Sequence, residues 1–113
     1  MHEMSIALSI VETLKDEMKA HPGVTLRKVK LGIGEFAGVE TETLSFALEI
    51  ALEQESLGGV QLDIRKVPLE ARCRKCGRVF LAEQSGFRCD QCNSDSFDIE
   101  AGQSVTVDSI TVE

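Results

Sequence analysis

CRKCGRVFLAEQSGFRCDQCN, residues 73–93, is the stretch that decides how this 113-residue chain is read. It holds all four cysteines of the chain, spaced C-x2-C-x12-C-x2-C. Each C-x2-C turn presents two sulfurs to one point, and two such turns complete a tetrahedron of thiolates. Gly77 follows the second cysteine and Asn93 the fourth, and both residues tolerate the left-handed turn that closes such a knuckle. Cys73, Cys76, Cys89 and Cys92 are therefore expected to hold Zn(II) in a closed, structural site. Its task would be to fold roughly 25 residues that cannot build a core alone. Phe80, Phe87 and Phe97 are expected to form an apolar cushion beside the metal. The same ligands suit an iron site of the rubredoxin kind. A thioredoxin-like redox pair would not need the second C-x2-C.

The charge around this stretch differs from the rest. The chain carries 12 Lys/Arg against 19 Asp/Glu, a net charge of −7. Residues 70–97 hold five and four of these, which leaves seven against fifteen elsewhere. An acidic body disfavours general nucleic-acid binding and docking on anionic membranes. Arg72, Arg74, Lys75, Arg78 and Arg88 nevertheless keep one alternative open: a zinc-ribbon module that binds protein or nucleic acid. The absence of Trp and Tyr argues against base stacking. No stretch approaches the roughly 20 apolar residues of a membrane helix. The opening MHEM lacks the basic region of a secretory signal. A cytoplasmic location is expected, where cysteines serve as metal ligands more than as disulfides.

Outward from the cysteines, the periodicities predict an α+β fold. Residues 4–19 read as an amphipathic helix, with Met4, Ala7, Leu8, Val11, Leu14 and Met18 on the apolar face. His21-Pro22-Gly23 ends it. Residues 24–35 read as a strand, with Gly32 and Gly34 as points of close backbone packing or a bulge. Residues 41–55 read as a second helix, capped by Thr41 and ended by Gly58-Gly59. Residues 60–67 and 104–113 read as two more strands, and the alternation of the last slips near Asp108-Ser109. A small three-stranded sheet with two helices is expected, with a four-cysteine zinc ribbon inserted in it. The expected division is residues 1–69 with 98–113 as an α/β domain, and residues 70–97 as the inserted zinc-binding domain.

The amino terminus is a second candidate site. A free amine on Met1, the amide nitrogen of His2 and its imidazole Nδ1 can occupy three corners of a square, which suits Ni(II) or Cu(II). Glu3 or a partner protein could fill the fourth corner. A histidine at position 2 by chance is the plainer reading of these residues. His21 reads as a positive group near a helix end, and Glu40 and Glu42 as the acidic start of the second helix. No nucleophile and base stand in a recognisable motif, so the chain is expected not to be an enzyme.

MHEMSIALSIV at the start, LGIGEFAGVE after the first strand, VPLEARC leading into the four-cysteine region and SITVE near the end together resemble the HypA/HybF family of hydrogenase maturation factors. The resemblance runs through essentially the whole chain. It implies a nickel metallochaperone that delivers Ni(II) for the [NiFe] hydrogenase centre. By position it implies nickel ligation by His2, supported by Met1 and Glu3, and zinc ligation by Cys73, Cys76, Cys89 and Cys92. The implied partners are a HypB-type GTPase and the [NiFe] hydrogenase large subunit. Urease maturation proteins and a second copy of the chain are further candidates. One departure is Asp90, where many members have proline.

Overall fold

Three- and four-residue spacing of apolar side chains builds the first helix, and it reaches closer to the amino terminus than expected. In a computed structural model, which describes residues 2–113, α1 spans His2–Ala20 and buries Ala7, Ile10, Val11 and Leu14. Leu8 is not on the buried face; it is 52% exposed. β1 follows (Leu26–Gly34), then α2 (Thr41–Gln54) and β2 (Gln61–Val67). The cysteine region contributes β3 (Glu70–Cys73), β4 (Val79–Leu81) and β5 (Phe97–Ala101), and β6 (Val105–Val112) closes the chain. Among the described residues, no helix is long and apolar enough to cross a membrane.

The caps of α2 differ from expectation. Glu40, not Thr41, is the N-cap: its backbone is extended, and its carboxylate accepts from the Thr43 amide and hydroxyl, both at 2.8 Å. At the other end, Ser56 takes a left-handed φ of 60°, and the Leu57 amide returns to the Leu52 carbonyl at 2.8 Å. The helix thus stops before Gly58-Gly59 is reached. Lys15 of α1 meets Glu55 at the C-cap of α2 at 2.5 Å, so the two helices pack side by side in the same sense.

The strands form two three-stranded sheets, ordered β2-β1-β6 and β4-β3-β5. Thr25 and Glu113 exchange both backbone hydrogen bonds, which makes β1 and β6 antiparallel. The Gly34 amide donates to Ser104 on that same side. Positions 25 and 34 differ by an odd number, as do 104 and 113, so each strand slips its pleat once. Burial shows where. In β1, Leu26 and Val29 are both buried; in β6, Asp108 and Ser109 are both exposed. The slip expected near Asp108-Ser109 is thus present. Val29, Leu31 and Ile33 are buried, with Lys30 exposed between them. Leu44, Ala47, Leu48, Ala51 and Leu52 supply the buried stripe of α2.

The backbone divides into two compact units. One comprises residues up to Gly32, Val39–Arg65 and Thr106–Glu113, and holds both helices. The other joins Ile33–Gly38 to Lys66–Val105, and so contains the cysteine region. In this second unit, Leu69, Ala71, Phe80, Ala82, Cys73 and Cys89 form the core, with Phe97 and Ile99 packed on it. Phe80 and Phe97 meet edge to face at 5.8 Å. Phe87 is not part of this cushion. It is 42% exposed and packs against Phe36.

Candidate metal centre

Each cysteine pair sits in a turn whose geometry follows from its sequence. β3 delivers Cys73 to the first knuckle, and the amides of Lys75 and Cys76 donate to its Sγ at 3.3 and 3.5 Å. The Gly77 amide then returns to the Cys73 carbonyl at 3.0 Å, with Gly77 at φ 77°. The second knuckle repeats the pattern. The amides of Gln91 and Cys92 donate to Cys89 Sγ at 3.4 and 3.5 Å. The Asn93 amide returns to the Cys89 carbonyl at 3.0 Å, with Asn93 at φ 63°. Asparagine accepts this left-handed position because its short polar side chain tolerates it.

The two knuckles face one another. Cys73 Sγ lies 3.6 Å from Cys92 Sγ, and Cys76 Sγ lies 3.5 Å from Cys89 Sγ. All four ligand atoms lie within 4.8 Å of one another. Thiolates at the usual zinc–sulfur bond length stand about 3.8 Å apart in a regular tetrahedron, so the cluster has the dimensions of a four-sulfur metal site. The separations are far too long for a disulfide. Cys73 and Cys89 are buried, and Cys76 and Cys92 are exposed.

The first cysteine of each knuckle is the more acidic. Amide donation from Cys76, with help from Lys75, holds the Cys73 thiol down to about 6. The Cys92 and Gln91 amides lower Cys89 in the same way. At Cys76 the Arg78 amide favours the thiolate, but burial and the surrounding sulfurs outweigh it and push the thiol up to about 12. Cys92 is also raised: its amide bond from Ser94 is outweighed by Cys73 and burial. Four thiolates this close repel, and a divalent cation removes that repulsion. The soft donor set suits zinc or iron.

The cations around the cluster are largely consumed within the ribbon. Arg78 binds both carboxylate oxygens of Asp90, which links the two knuckles. Arg74 reaches Asp98 at 2.6 Å, and Arg72 pairs with Glu100. Three of the five basic residues that kept a nucleic-acid reading open are therefore already neutralised.

At the other candidate site, His2 begins α1 with its side chain 60% exposed, and its Nε2 lies 4.0 Å from Glu3 Oε2. The Glu3 side chain is 14% exposed. Met1 lies outside the described residues. His21 follows the end of α1 and sits 3.8 Å from Glu17. Glu40 as a cap and the Phe36–Phe87 pair are among the features that escaped the sequence reading. The run GEFAG held a signal for the second, an aromatic residue in a glycine-flanked turn where no core face exists.

The fold and site define a class: a small α+β protein whose second unit is organised by a four-cysteine metal knuckle pair. The chain belongs to the HypA family, whose model, described as hydrogenase/urease nickel incorporation metallochaperone, matches residues 1–112. It is 34% identical over 113 residues to the hydrogenase maturation factor HypA of Chlorobaculum tepidum, covering 100% of both chains. It is 33% identical over 113 residues to that of Desulfatibacillum aliphaticivorans, covering 99% of this chain and 87% of the relative. Among solved structures, the Ni metallochaperone HypA of Helicobacter pylori matches with a TM-score of 0.74 and 25% identity, over 97% of this chain and 96% of that one.

Proposed function

We propose that this chain is a cytoplasmic nickel metallochaperone. It would bind Ni(II) at its amino terminus and pass it on for assembly of a [NiFe] hydrogenase. In this reading Met1 supplies its amine, His2 its amide and imidazole, and Glu3 a carboxylate. The observation that carries the reading is the position of His2 and Glu3 in the first turn of α1, taken with membership of the family. Amides in the first turn of a helix have no intrahelical acceptor. A metal bound at the amide of His2 would therefore sit outside the i to i−4 ladder of α1. Histidine at the start of a helix, with its side chain exposed, also leaves the metal open to ligand exchange. A donor on the recipient can enter before the last ligand leaves, so the ion need not pass through free solution.

Cys73, Cys76, Cys89 and Cys92 fit a resident zinc ion, which would supply a structural cross-link and no open coordination position. They hold no place for cargo. A HypB-type GTPase and the hydrogenase large subunit are the partners proposed for the transfer, with urease maturation proteins and a second copy of the chain as further candidates. The chain itself would bind and release metal without catalysing a reaction.

The test is Ni(II) binding to untagged, zinc-loaded protein, followed by calorimetry and absorption. Wild type is expected to bind Ni(II) with a square-planar absorption band, and His2→Ala is expected to lose that band. Equal binding by both proteins would overturn the amino-terminal site. Because the amine and imidazole must shed protons, binding should weaken as the solution is acidified.

A further inference from the structure

β4 is an edge strand of the cysteine-bearing sheet. It pairs with β3 through Glu70–Leu81, Ala71–Phe80 and Arg72–Val79. The Cys73 amide donates to the Arg78 carbonyl, and the Ala82 amide donates to the Leu69 carbonyl. In an antiparallel ladder hydrogen-bonded pairs alternate with open ones. The backbone groups of Val79 and Leu81 therefore point away from β3. The Leu81 carbonyl accepts the Ser85 amide at 3.1 Å. The Val79 amide and carbonyl and the Leu81 amide have no partner among the described residues.

Two clefts border this edge and share Leu81 and Gln84. One, of about 380 Å³, is lined by Val79, Phe80 and Glu70. The other, of about 220 Å³, has Pro68 and Leu69 in its wall and Glu35 and Glu83 beside them. Glu35, Glu70 and Glu83 form no ion pair among the described residues. The cation that lines the first cleft, Arg78, is held by Asp90. The second cleft is the more apolar of the two, whereas the first also presents Gln84, Ser85 and the Arg78–Asp90 pair, and the three glutamates give the edge an uncompensated negative rim. Phe36 and Phe87 add to the apolar surface next to Glu35. They are 46% and 42% exposed, with ring centroids 6.2 Å apart. Phe87 is held there at a φ of 62°, a conformation that bulky residues adopt at a cost.

We propose that this edge docks an extended, basic segment of a partner protein, which adds as a fourth strand beside β4. Backbone bonds to Val79 and Leu81 would set its register. An aliphatic side chain would enter the cleft walled by Pro68, Leu69 and Leu81, and Lys or Arg side chains would face Glu35, Glu70 and Glu83. Strand addition obtains affinity from main-chain bonds and specificity from alternate side chains, and both parts are present here. The edge is only three residues long, which protects it from indiscriminate pairing in the absence of the charge match. The proposal concerns the cysteine-bearing unit and stands apart from the amino-terminal nickel site.

The test is a titration of isotopically labelled, zinc-loaded full-length protein followed by amide NMR. The probes are an eight-residue peptide of alternating lysine and valine and its glutamate–valine counterpart. The lysine peptide is expected to shift the amides of Val79, Leu81, Glu35 and Glu83, and the glutamate peptide is expected to leave them unchanged. The triple variant Glu35→Gln, Glu70→Gln, Glu83→Gln should bind the lysine peptide about tenfold more weakly, as three exposed ion pairs are lost. Val79→Pro should remove the edge donor and abolish binding. Because that substitution can disturb the knuckle, the glutamine variant carries the decision if Val79→Pro fails to hold zinc. Equal binding of the two peptides, shifts confined to α1 and α2, or no shift at millimolar peptide would each overturn the proposal.

Discussion

Gly34 and Gly102 show how much can hang on a missing side chain. A Cβ on Gly34 would stand 2.3 Å from the Gly102 carbonyl oxygen. A Cβ on Gly102, at φ 104°, would stand 2.6 Å from Leu69 Cα and the Pro68 carbonyl. All of these obstacles are backbone, so none can move aside cheaply. Gly34→Ala and Gly102→Ala are each expected to destabilise the protein by about 2–4 kcal/mol through forced backbone shifts, read as a lower denaturation midpoint with zinc present. Close packing at Gly34 was legible in the sequence because a glycine inside a strand has few other uses. The Glu40 cap was not, because Thr41 is the better capping residue and glutamate rarely takes that place.

Asp108 offers a test with a pH signature. The Thr106 hydroxyl and the Arg65 guanidinium hold its carboxyl below the usual range. A carboxyl lowered on folding contributes stability above its unfolded pKa, and that contribution is lost as pH falls through the folded value. Asp108→Asn should therefore lower the melting temperature at neutral pH. The difference from wild type should shrink steadily below about pH 4, near the unfolded carboxyl value. Parallel melting curves for the two proteins across that range check this.

At the scale of elements, burial separates what periodicity can read from what it cannot. Leu48 is fully buried on α2, and Leu48→Ala should cost about 2–5 kcal/mol, measurable by chemical denaturation. Phe46, on the same helix, is 65% exposed. Its replacement by serine should leave stability within about 0.5 kcal/mol. Both helices and the strands β1, β2 and β6 were legible within a few residues, since each buries one face against a conventional core. Even the pleat slip of β6 was readable from its side chains. β3, β4 and β5 were not assigned, because strands of three to five residues carry too little alternation to register. Their alignment is imposed by the knuckles between them. Phe87 illustrates the same gap. Its aromatic character suggested a core, but the left-handed backbone turns it outward to Phe36.

At the scale of the molecule, the two units differ in what holds them. The helix-bearing unit has a core of aliphatic side chains. The other has a core of six buried residues, two of which are cysteines of the cluster. Chelation of the metal is expected to expose the amides of β3, β4 and β5 to hydrogen exchange while α1 and α2 keep their protection. Simultaneous loss in both units would show that they unfold as one. The cysteine site was legible because ligand spacing is set by coordination geometry and does not depend on the surrounding fold. Ion pairs such as Arg74–Asp98 were not, since partners 24 positions apart meet only after the sheet has formed.

Ile33–Gly38 belongs to the same unit as Lys66–Val105, although α2 separates them in the chain. Phe36 donates its amide to the Gly102 carbonyl at 2.9 Å, and Glu35 donates to the Val67 carbonyl at 2.9 Å. The ribbon is therefore not a cassette with two cut points. A chimera that exchanges only residues 66–105 with a relative would pair one protein's turn with another's sheet, and the graft would succeed only if 33–38 travelled with it. Substitutions in these two distant segments should accordingly rise and fall together through the history of the family, as two halves of one inherited piece.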